Sequence, residues 1–470
     1  MKPNLLFFLI DGLRADQCFG KDKTSFTPNI DRLRKNGVYF TNAFSSVDGT
    51  FLSLNAIFHS LYPFKTGTGA KKITLQKNNL FGLLAKNGYQ INGLVPNILS
   101  LSDLMNNFEN NDKTYNYFED MSKDKPVFTE YLSTGLTDKI INFLKSKTLK
   151  NPWLYYAHLM DLHPLKEYYE NANHARVNLP LPQGIKDFDD EKFGASIYER
   201  TLTLIDSELG KILEHVDLDN TILILTADHG ERIAYGGIHE NDFQPKLEPA
   251  VEFGKKFLPK STHKTGGQFL SKIRSNIGKQ KLNQANKNLT EYQKRSRKQF
   301  SKVSLFDEML HVPLLFANNH MNSRTVPDLV HNADIYPTIC ELVEINFNQI
   351  IHGRSLVTLI QGNKIEEKPI YLRTRPYLKP NKLDSIGVRS SNYKYFRSAH
   401  DPKENVHLYD LKNDPHENNN IAKINKKIVE EFEDLLVEMR KFSSAQCKDE
   451  ENPEESSKIE YELKKMGYID

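Results

Sequence analysis

The sequence predicts an α/β fold with a mixed, mostly parallel central sheet and a smaller C-terminal α+β subdomain. The first observation is a set of uninterrupted apolar runs, starting at residues 4, 153 and 221, that each lead into an aspartate. Such runs are typical of strands buried on both faces inside a parallel sheet. The second observation is a long stretch with helical apolar spacing, 196–216, that leads into the last of these strands.

Length and composition permit one large domain with a smaller one. The 470 residues divide at 1–365, 366–445 and a charged tail, 446–470, which we expect to be loosely ordered. The N-terminal apolar run is too short for a signal peptide or a membrane span, so we expect a cytoplasmic protein. Three cysteines without metal-ligand spacing indicate neither a disulfide framework nor a zinc knuckle.

The first apolar run, 4–10, is a buried-strand candidate that ends at Asp11. A helix follows, for which Thr27 is the expected N-cap and Pro28 the first-turn residue. Two strands that each end in a carboxylate can converge on one metal if they are neighbours in a parallel sheet. Asp11 is therefore a candidate metal ligand.

A second helix is predicted to begin at or near Thr50, because Gly49 breaks the chain and apolar residues then recur at helical spacing. Free backbone amides and the positive end of the helix dipole favour an anion at such a position. The local pattern alone is also explained by a plain N-cap.

The apolar run that begins at residue 221 ends in Asp228 and His229, followed by Gly230. Ligands in open α/β sheets gather at the carboxyl ends of strands, so this pair lies at the expected active edge. A carboxylate oxygen and an imidazole nitrogen suit Zn²⁺, Mn²⁺ or a related divalent ion. Taken alone, the pair is also explained as a strand end with an N-capping aspartate.

Several segments, in this order along the chain, resemble the sulfatase branch of the alkaline phosphatase superfamily. They lie at 10–16, 27–33, 227–231, 334–339, 353–356, 388–395 and 408–420. The resemblance covers nearly the whole chain and implies an alkaline-phosphatase-like sandwich. It also implies that Asp11, Asp228 and His229 hold a divalent metal (Zn, Mn, Ca or Mg) that activates Thr50.

The nucleophile segment departs from the sulfatase pattern. Sulfatases resemble one another in a Cys-x-Pro-Ser-Arg signature whose Cys or Ser becomes formylglycine, whereas residues 50–54 read Thr-Phe-Leu-Ser-Leu. Threonine cannot give that aldehyde, and the Lys and His that would grip the sulfate are absent from 93–97. A threonine here is similar to the phospho-branch, the nucleotide pyrophosphatase/phosphodiesterases, lipoteichoic acid synthases and phosphoethanolamine transferases. There, metal coordination makes the hydroxyl a competent nucleophile.

Three further site candidates follow from the resemblance. The family has an Asp-x-His loop beside the metal, matched by Asp161 and His163, and a His or Lys about where His239 stands. These residues either hold a second metal or handle the leaving group, which His163 would protonate. Ordinary polar loop residues are the alternative for each. His158, inside the strand, is expected to be a core histidine.

Residues 244–303 interrupt the family pattern with a strongly basic insertion. It holds fifteen Lys or Arg against three Glu, a net charge of +12, in a chain whose total is +3. Phe269, Ile273 and Ile277 recur every four residues, which predicts an amphipathic helix. Steering of an anionic substrate, contact with an anionic polymer or membrane surface, and a solvated surface excursion are all open roles.

The sequence thus predicts a metal-dependent hydrolase or phosphotransferase that acts on phosphate esters, with a diester or phosphonate ester favoured, through Thr50. One or two metal ions per chain are expected. Two alternatives remain, a sulfatase that works without formylglycine and a non-catalytic anion-binding member of the fold. Retention of Asp11, Thr50, Asp228 and His229 argues against the binding role, because a binding module needs no metal-activated nucleophile.

Overall fold

The fold is organised around an eight-stranded mixed sheet. The computed structural model describes residues 2–65, 71–116, 130–147, 149–163, 184–245, 263–298, 305–375, 384–441 and 453–465. The strands of the large sheet are β1 (Asn4–Ile10), β2 (Val38–Phe44), β3 (Gln90–Pro96), β4 (Thr114–Tyr115), β5 (Trp153–Leu159), β6 (Thr221–Thr226), β7 (Leu314–Ala317) and β8 (Arg324–His331). Their order is β4-β3-β5-β1-β6-β7-β2-β8, and only β7 runs antiparallel to its neighbours. The predicted mostly parallel sheet is confirmed.

Strand β1 lies inside the sheet, between β5 and β6, and all residues of these three strands are buried. Their apolar side chains face covered surfaces on both sides, as expected for a parallel sheet. Leu9 of β1 is aligned with His158 of β5 and with Thr226 of β6. The polar residues that follow these strands therefore meet at one edge of the sheet.

Thirteen α-helices are found in the described part of the chain. They are α1 (Pro28–Asn36), α2 (Thr50–His59), α3 (Leu80–Lys86), α4 (Ser102–Met105), α5 (Leu136–Leu144), α6 (Ile197–Leu213), α7 (His263–Ala285), α8 (Glu291–Ser296), α9 (Asp307–Leu310), α10 (Ile335–Leu342), α11 (Val357–Ile360), α12 (Lys426–Arg440) and α13 (Pro453–Lys465). Helix α6, predicted at 196–216, begins with a capping box between Ser196 and Glu199.

Helix α1 begins at Pro28, and Thr27 occupies its N-cap position, as predicted. The Thr27 side chain makes no capping hydrogen bond. Asp206 of α6 accepts hydrogen bonds from the backbone N–H groups of Asn29 (3.0 Å) and Ile30 (2.8 Å) instead. A carboxylate from a neighbouring helix thus satisfies the free amides of the first turn, which tertiary packing allows and local sequence does not reveal.

The C-terminal subdomain contains a separate antiparallel sheet. Its strands, in the order β12-β11-β10-β9, are β9 (Ile370–Arg373), β10 (Ser385–Arg389), β11 (Tyr393–Ser398) and β12 (His407–Asp410). Helix α12 packs against β10. A bridge between Val47 and Arg373 joins β9 to the segment that leads into α2, so the small sheet adjoins the large domain close to Thr50.

The described part of the basic insertion is helical, as α7 and α8, which confirms the predicted helix. Ile273 and Ile277 are each 36% exposed, and the side chain of Phe269 lies outside the described part. Helix α8 is docked through Arg295, which donates to Glu308 (2.6 Å) and to the carbonyl oxygens of His416 and Glu417. This segment of the insertion therefore ties the large domain to the C-terminal subdomain.

The C-terminal tail is more ordered than the sequence suggested. Residues 453–465 form α13, in which Ile459 is fully buried against the main core. Glu462 accepts a hydrogen bond from the Leu99 backbone at 2.9 Å, and Lys71 forms an ion pair with Glu460. The expectation of a loose tail is wrong for this part, because one apolar side chain and two polar contacts anchor the helix.

Among the described residues, no helix combines the length and the hydropathy that crossing a bilayer requires. Cys18 and Cys340 are buried free thiols, and Cys447 lies outside the described residues.

Candidate active site

The site is built at the carboxyl edge of β5, β1 and β6, with the start of α2 facing it. Asp11 follows β1 directly, and its backbone N–H donates to the Leu159 carbonyl of β5 at 2.9 Å. Asp228 and His229 lie just beyond β6. Thr50 is the first residue of α2 and is buried. The fold therefore brings together, at this edge, the four site residues that were predicted from three distant segments of the sequence.

Asp11, Asp228 and His229 form a group that can hold a metal ion. One ligand atom of each lies within 4.8 Å of the others, and all three residues are buried. Oδ2 of Asp228 lies 3.5 Å from Nε2 of His229 and accepts no hydrogen bond from a described residue. A buried carboxylate oxygen without a hydrogen bond fits a cation, because burying it unsatisfied is costly. The donor set, two carboxylates and an imidazole, suits a divalent ion.

His229 is oriented with one ring nitrogen toward this group. Nδ1 lies 2.7 Å from the Gly230 carbonyl oxygen, to which only an N–H can donate. With Nδ1 turned to this carbonyl, Nε2 faces Asp11 (3.8 Å) and Asp228, and its lone pair would serve a metal ion once the ring is deprotonated. A backbone carbonyl that fixes the tautomer in this way is the usual outer partner of a metal-binding histidine.

Thr50 places its hydroxyl against the same group. Oγ1 donates to Oδ2 of Asp11 at 3.2 Å and lies 3.3 Å from Nε2 of His229. The side chain is thus directed into the site, and the N-cap position of its helix is occupied by Gly49. The plain N-cap explanation of Thr50 is wrong, because Gly49 holds the N-cap position and the Thr50 hydroxyl contacts two of the candidate metal ligands.

The electrostatics of the site favour a bound cation. Burial would raise the pKa of Asp11, but the hydrogen bond with His158 and the charges of His229 and His163 outweigh it and lower that pKa. Burial and the adjacent Asp11 charge raise the pKa of Asp228. Two carboxylates that share a buried pocket repel each other, and a divalent ion relieves that repulsion.

The three remaining candidates do not join this group. The Asp161 carboxylate is buried and accepts from the Leu132 backbone N–H at 2.9 Å. His239 lies in the loop before residues 240–243, where its own backbone N–H donates to Asp242. His163 is buried and near enough for its charge to lower the pKa of Asp11. Within the described residues these three do not form a second three-ligand cluster, and their roles stay predictions.

Asp161→Asn should stabilise the protein increasingly as the pH rises from 5 to 8. Burial raises the pKa of Asp161 from 3.8 to about 7, so the folded state holds a proton that the unfolded state has lost. The stability that this proton supplies is complete below the unfolded pKa and declines by about 1.4 kcal/mol per pH unit up to the folded pKa. Asparagine cannot ionise and can still accept from Leu132, so the advantage of the variant should grow by about 3 kcal/mol over this range.

Urea unfolding at pH 5 and pH 8 measures this difference, with Asp112→Asn as the control because Asp112 is exposed. Equal destabilisation of Asp161→Asn at both pH values would contradict the prediction. That result would instead indicate a carboxylate that is charged in the folded protein, as a metal ligand is.

Two positions in the site were missed by sequence reasoning. His158, expected in the core, is fully buried, but its Nε2 lies 3.5 Å from Oδ2 of Asp11 and its Nδ1 lies 3.0 Å from the Tyr156 hydroxyl. Ser53, one turn after Thr50, donates to the Asp228 carbonyl (2.5 Å) and accepts from Asn332 (2.7 Å). Ser53 thus links α2 to the segment that carries the candidate metal ligand Asp228. It stands at the serine position of the sulfatase signature, from which its role could have been predicted.

Comparisons with known proteins agree with this architecture. The Sulfatase family model matches residues 3–345, and the model of the N-sulphoglucosamine sulphohydrolase C-terminal region matches residues 296–442. An ulvan-active sulfatase of Formosa agariphila is 23% identical over 466 residues, which covers 90% of this chain and 76% of that protein.

Solved structures show the same fold at low sequence identity. A 2-O GAG sulfatase superposes with a TM-score of 0.66 at 18% identity, covering 94% of this chain and 93% of its own. The phosphonate monoester hydrolase of Agrobacterium radiobacter superposes with a TM-score of 0.62 at 16% identity, covering 94% of this chain and 96% of its own. Proteins named for sulfate esters and for a phosphonate ester thus share this architecture.

Proposed function

This chain belongs to the sulfatase family, and we propose that within it the protein hydrolyses or transfers phosphate esters, with a diester or phosphonate ester as the favoured substrate. The observation that carries the proposal is Thr50, whose hydroxyl contacts both Asp11 and His229 at the point where sulfatases carry formylglycine. Oxidation of a threonine would not give the required aldehyde. An intact hydroxyl can attack phosphorus directly.

The chain's own groups support a two-step transfer. Oγ1 of Thr50 forms a bond to phosphorus as the bond from phosphorus to the leaving alcohol breaks, and the Thr50 proton is directed toward Asp11, to which it already donates. A divalent ion held by Asp11, Asp228 and His229 would lower the pKa of the hydroxyl and offset charge on the ester oxygens. Water or an acceptor alcohol then takes the phosphoryl group from Thr50 and restores the hydroxyl.

His163 is our proposed proton donor to the leaving alcohol. It is buried, follows β5 at the same sheet edge, and acts electrostatically on Asp11. A histidine can supply a proton near neutral pH, which a leaving alkoxide requires. We also propose that His239 contacts the substrate rather than a second metal, because it lies apart from the three-ligand group.

Hydrolysis of a sulfate ester without formylglycine is the second candidate function. It is favoured by the relatives, since both an ulvan-active sulfatase and a 2-O GAG sulfatase are named for sulfate esters. The phosphonate monoester hydrolase shows that the fold also accommodates phosphorus chemistry. Both candidates require an anionic ester, and they differ in the element that Thr50 attacks.

The exposed basic face of the insertion supports an extended anionic substrate. Lys272, Lys279, Lys281 and Lys287 are exposed, and α7 contains no acidic residue. We propose that this face attracts an anionic polymer through long-range electrostatics. If so, kcat/KM for a polymeric substrate should fall more steeply with added salt than kcat/KM for a small ester. Equal salt dependence would exclude this role.

The experiment that tests the proposed function compares matched nitrophenyl esters: a sulfate, a phosphate monoester, a phosphate diester and a phosphonate. Each is assayed with Mn²⁺, Zn²⁺, Ca²⁺ and Mg²⁺, with Thr50→Ala as the blank. We expect the diester or phosphonate to be turned over fastest and that activity to vanish in the variant. A preference for the sulfate would support the second candidate instead.

A further inference from the structure

Two positions at which sulfatases carry cations that hold the anionic end of the ester have no cation here. Leu54 stands where the signature has arginine and is fully buried. The Lys and His that would grip the sulfate are absent from residues 93–97. Any substrate that Thr50 attacks carries negatively charged oxygens beside the scissile bond, and a cation elsewhere in the described part of the chain can face them.

Arg375, just beyond β9 of the C-terminal subdomain, lies against the residue that precedes Thr50. A methyl group placed on Cα of Gly49 would lie 3.0 Å from Cβ and 3.1 Å from Cδ of Arg375. The Arg375 side chain therefore packs against Gly49, and a β-carbon at residue 49 would require it to shift by a few tenths of an ångström. The arginine backbone is fixed as well, since its N–H donates to Oδ1 of Asp48 at 2.5 Å.

The charge of Arg375 acts on this side of the site. Both Arg375 and His229 act electrostatically on the buried carboxyl of Asp48, so each of them lies near Asp48. Among the described residues, the Arg375 guanidinium makes neither a hydrogen bond nor an ion pair, whereas Arg389 and Arg397 of the same subdomain are paired with carboxylates. Within the described part of the chain, the donors of this cation are therefore available for an anion.

We propose that Arg375 binds the non-bridging oxygens of the substrate ester and holds it against Thr50. Guanidinium presents two parallel donors that match the oxygens of phosphate or sulfate. This inference rests on the proposed function in that it requires an anionic ester. It holds for a phosphate ester and for a sulfate ester alike.

Binding of inorganic phosphate to the metal-loaded protein tests the inference separately from turnover. By calorimetry, Arg375→Gln should weaken phosphate binding by about tenfold to a hundredfold, the usual effect of losing a charged hydrogen bond. Arg440→Gln is the matched control, because it removes the same charge from an exposed position on α12 and should leave binding unchanged. Unchanged affinity in Arg375→Gln, or no phosphate binding to the wild type, would overturn the inference.

Turnover and rescue distinguish binding from a structural role. With the preferred ester, Arg375→Gln should lose kcat/KM mainly through a higher KM, and added guanidinium chloride at low concentration should restore part of it. If Arg375→Gln does not fold, Gly49→Ala should displace the arginine stem and weaken phosphate binding in the same way. If phosphate binding requires Arg375 but the protein turns over no ester, this inference stands and the proposed function is refuted.

Discussion

Replacing Thr50 by alanine should reduce kcat/KM for the preferred ester by about a thousandfold or more, as removal of a nucleophile does. The change deletes the hydroxyl that lies 3.2 Å from Asp11 and 3.3 Å from His229. It leaves all three metal-binding residues in place, and alanine is a good residue for the first turn of a helix. The loss should therefore appear in turnover and not in thermal stability or metal content.

Two variants control this experiment. Thr50→Ser keeps the hydroxyl and should retain measurable turnover. Thr27→Ala removes the same atoms at the start of α1 and should be fully active. Thr27 is buried there, and its hydroxyl makes no hydrogen bond with the described residues. Activity of Thr50→Ala within a few-fold of the wild type would show that the hydroxyl is not the nucleophile.

Asp228→Asn should release the metal and abolish turnover together. The amide keeps the shape and an oxygen that can accept from the backbone N–H of His229, as Oδ1 of Asp228 does now at 2.9 Å. It removes the negative charge from a ligand that is fully buried. We expect metal affinity to fall by at least about a hundredfold, because losing an outer partner of a metal site already costs about tenfold to a hundredfold.

Elemental analysis after dialysis against a competing chelator measures this effect. Asp161→Asn is the matched control, since it makes the same substitution at another buried aspartate on the same sheet edge, whose carboxyl group accepts a hydrogen bond from the Leu132 backbone. We expect that control to keep the metal content of the wild type. Full metal content in Asp228→Asn would contradict the assigned site, and loss of half the metal in Asp161→Asn would reveal a second one.

The residues at the carboxyl edge of the sheet could be predicted from the sequence, whereas the contacts that distant segments make with them could not. The apolar runs that lead to Asp11 and Asp228 could be assigned to strands inside a parallel sheet, because such strands are buried on both faces and therefore apolar throughout. The break at Gly49 likewise placed the start of α2 correctly at Thr50. These features are local, so one segment at a time was enough to find them.

The missed contacts depend on distant segments. A histidine inside an apolar strand, such as His158, gives no local sign that it faces Asp11 on the next strand. The bond between Ser53 and Asn332 joins segments 279 residues apart. Ile459 could anchor the tail only once the core that receives it had formed. Periodicity reports which face of an element is apolar but does not say which element covers it.

The most direct test of the account is whether Thr50 carries the transferred group during turnover. The metal-loaded protein is mixed with the preferred ester, quenched in acid within the first turnovers, and digested for peptide mass spectrometry. We predict a phosphoryl group on the Thr50 hydroxyl, present only with metal and substrate and absent from Thr50→Ala. Product release with Thr50 unmodified at every quench time, or a label on another residue, would contradict the account.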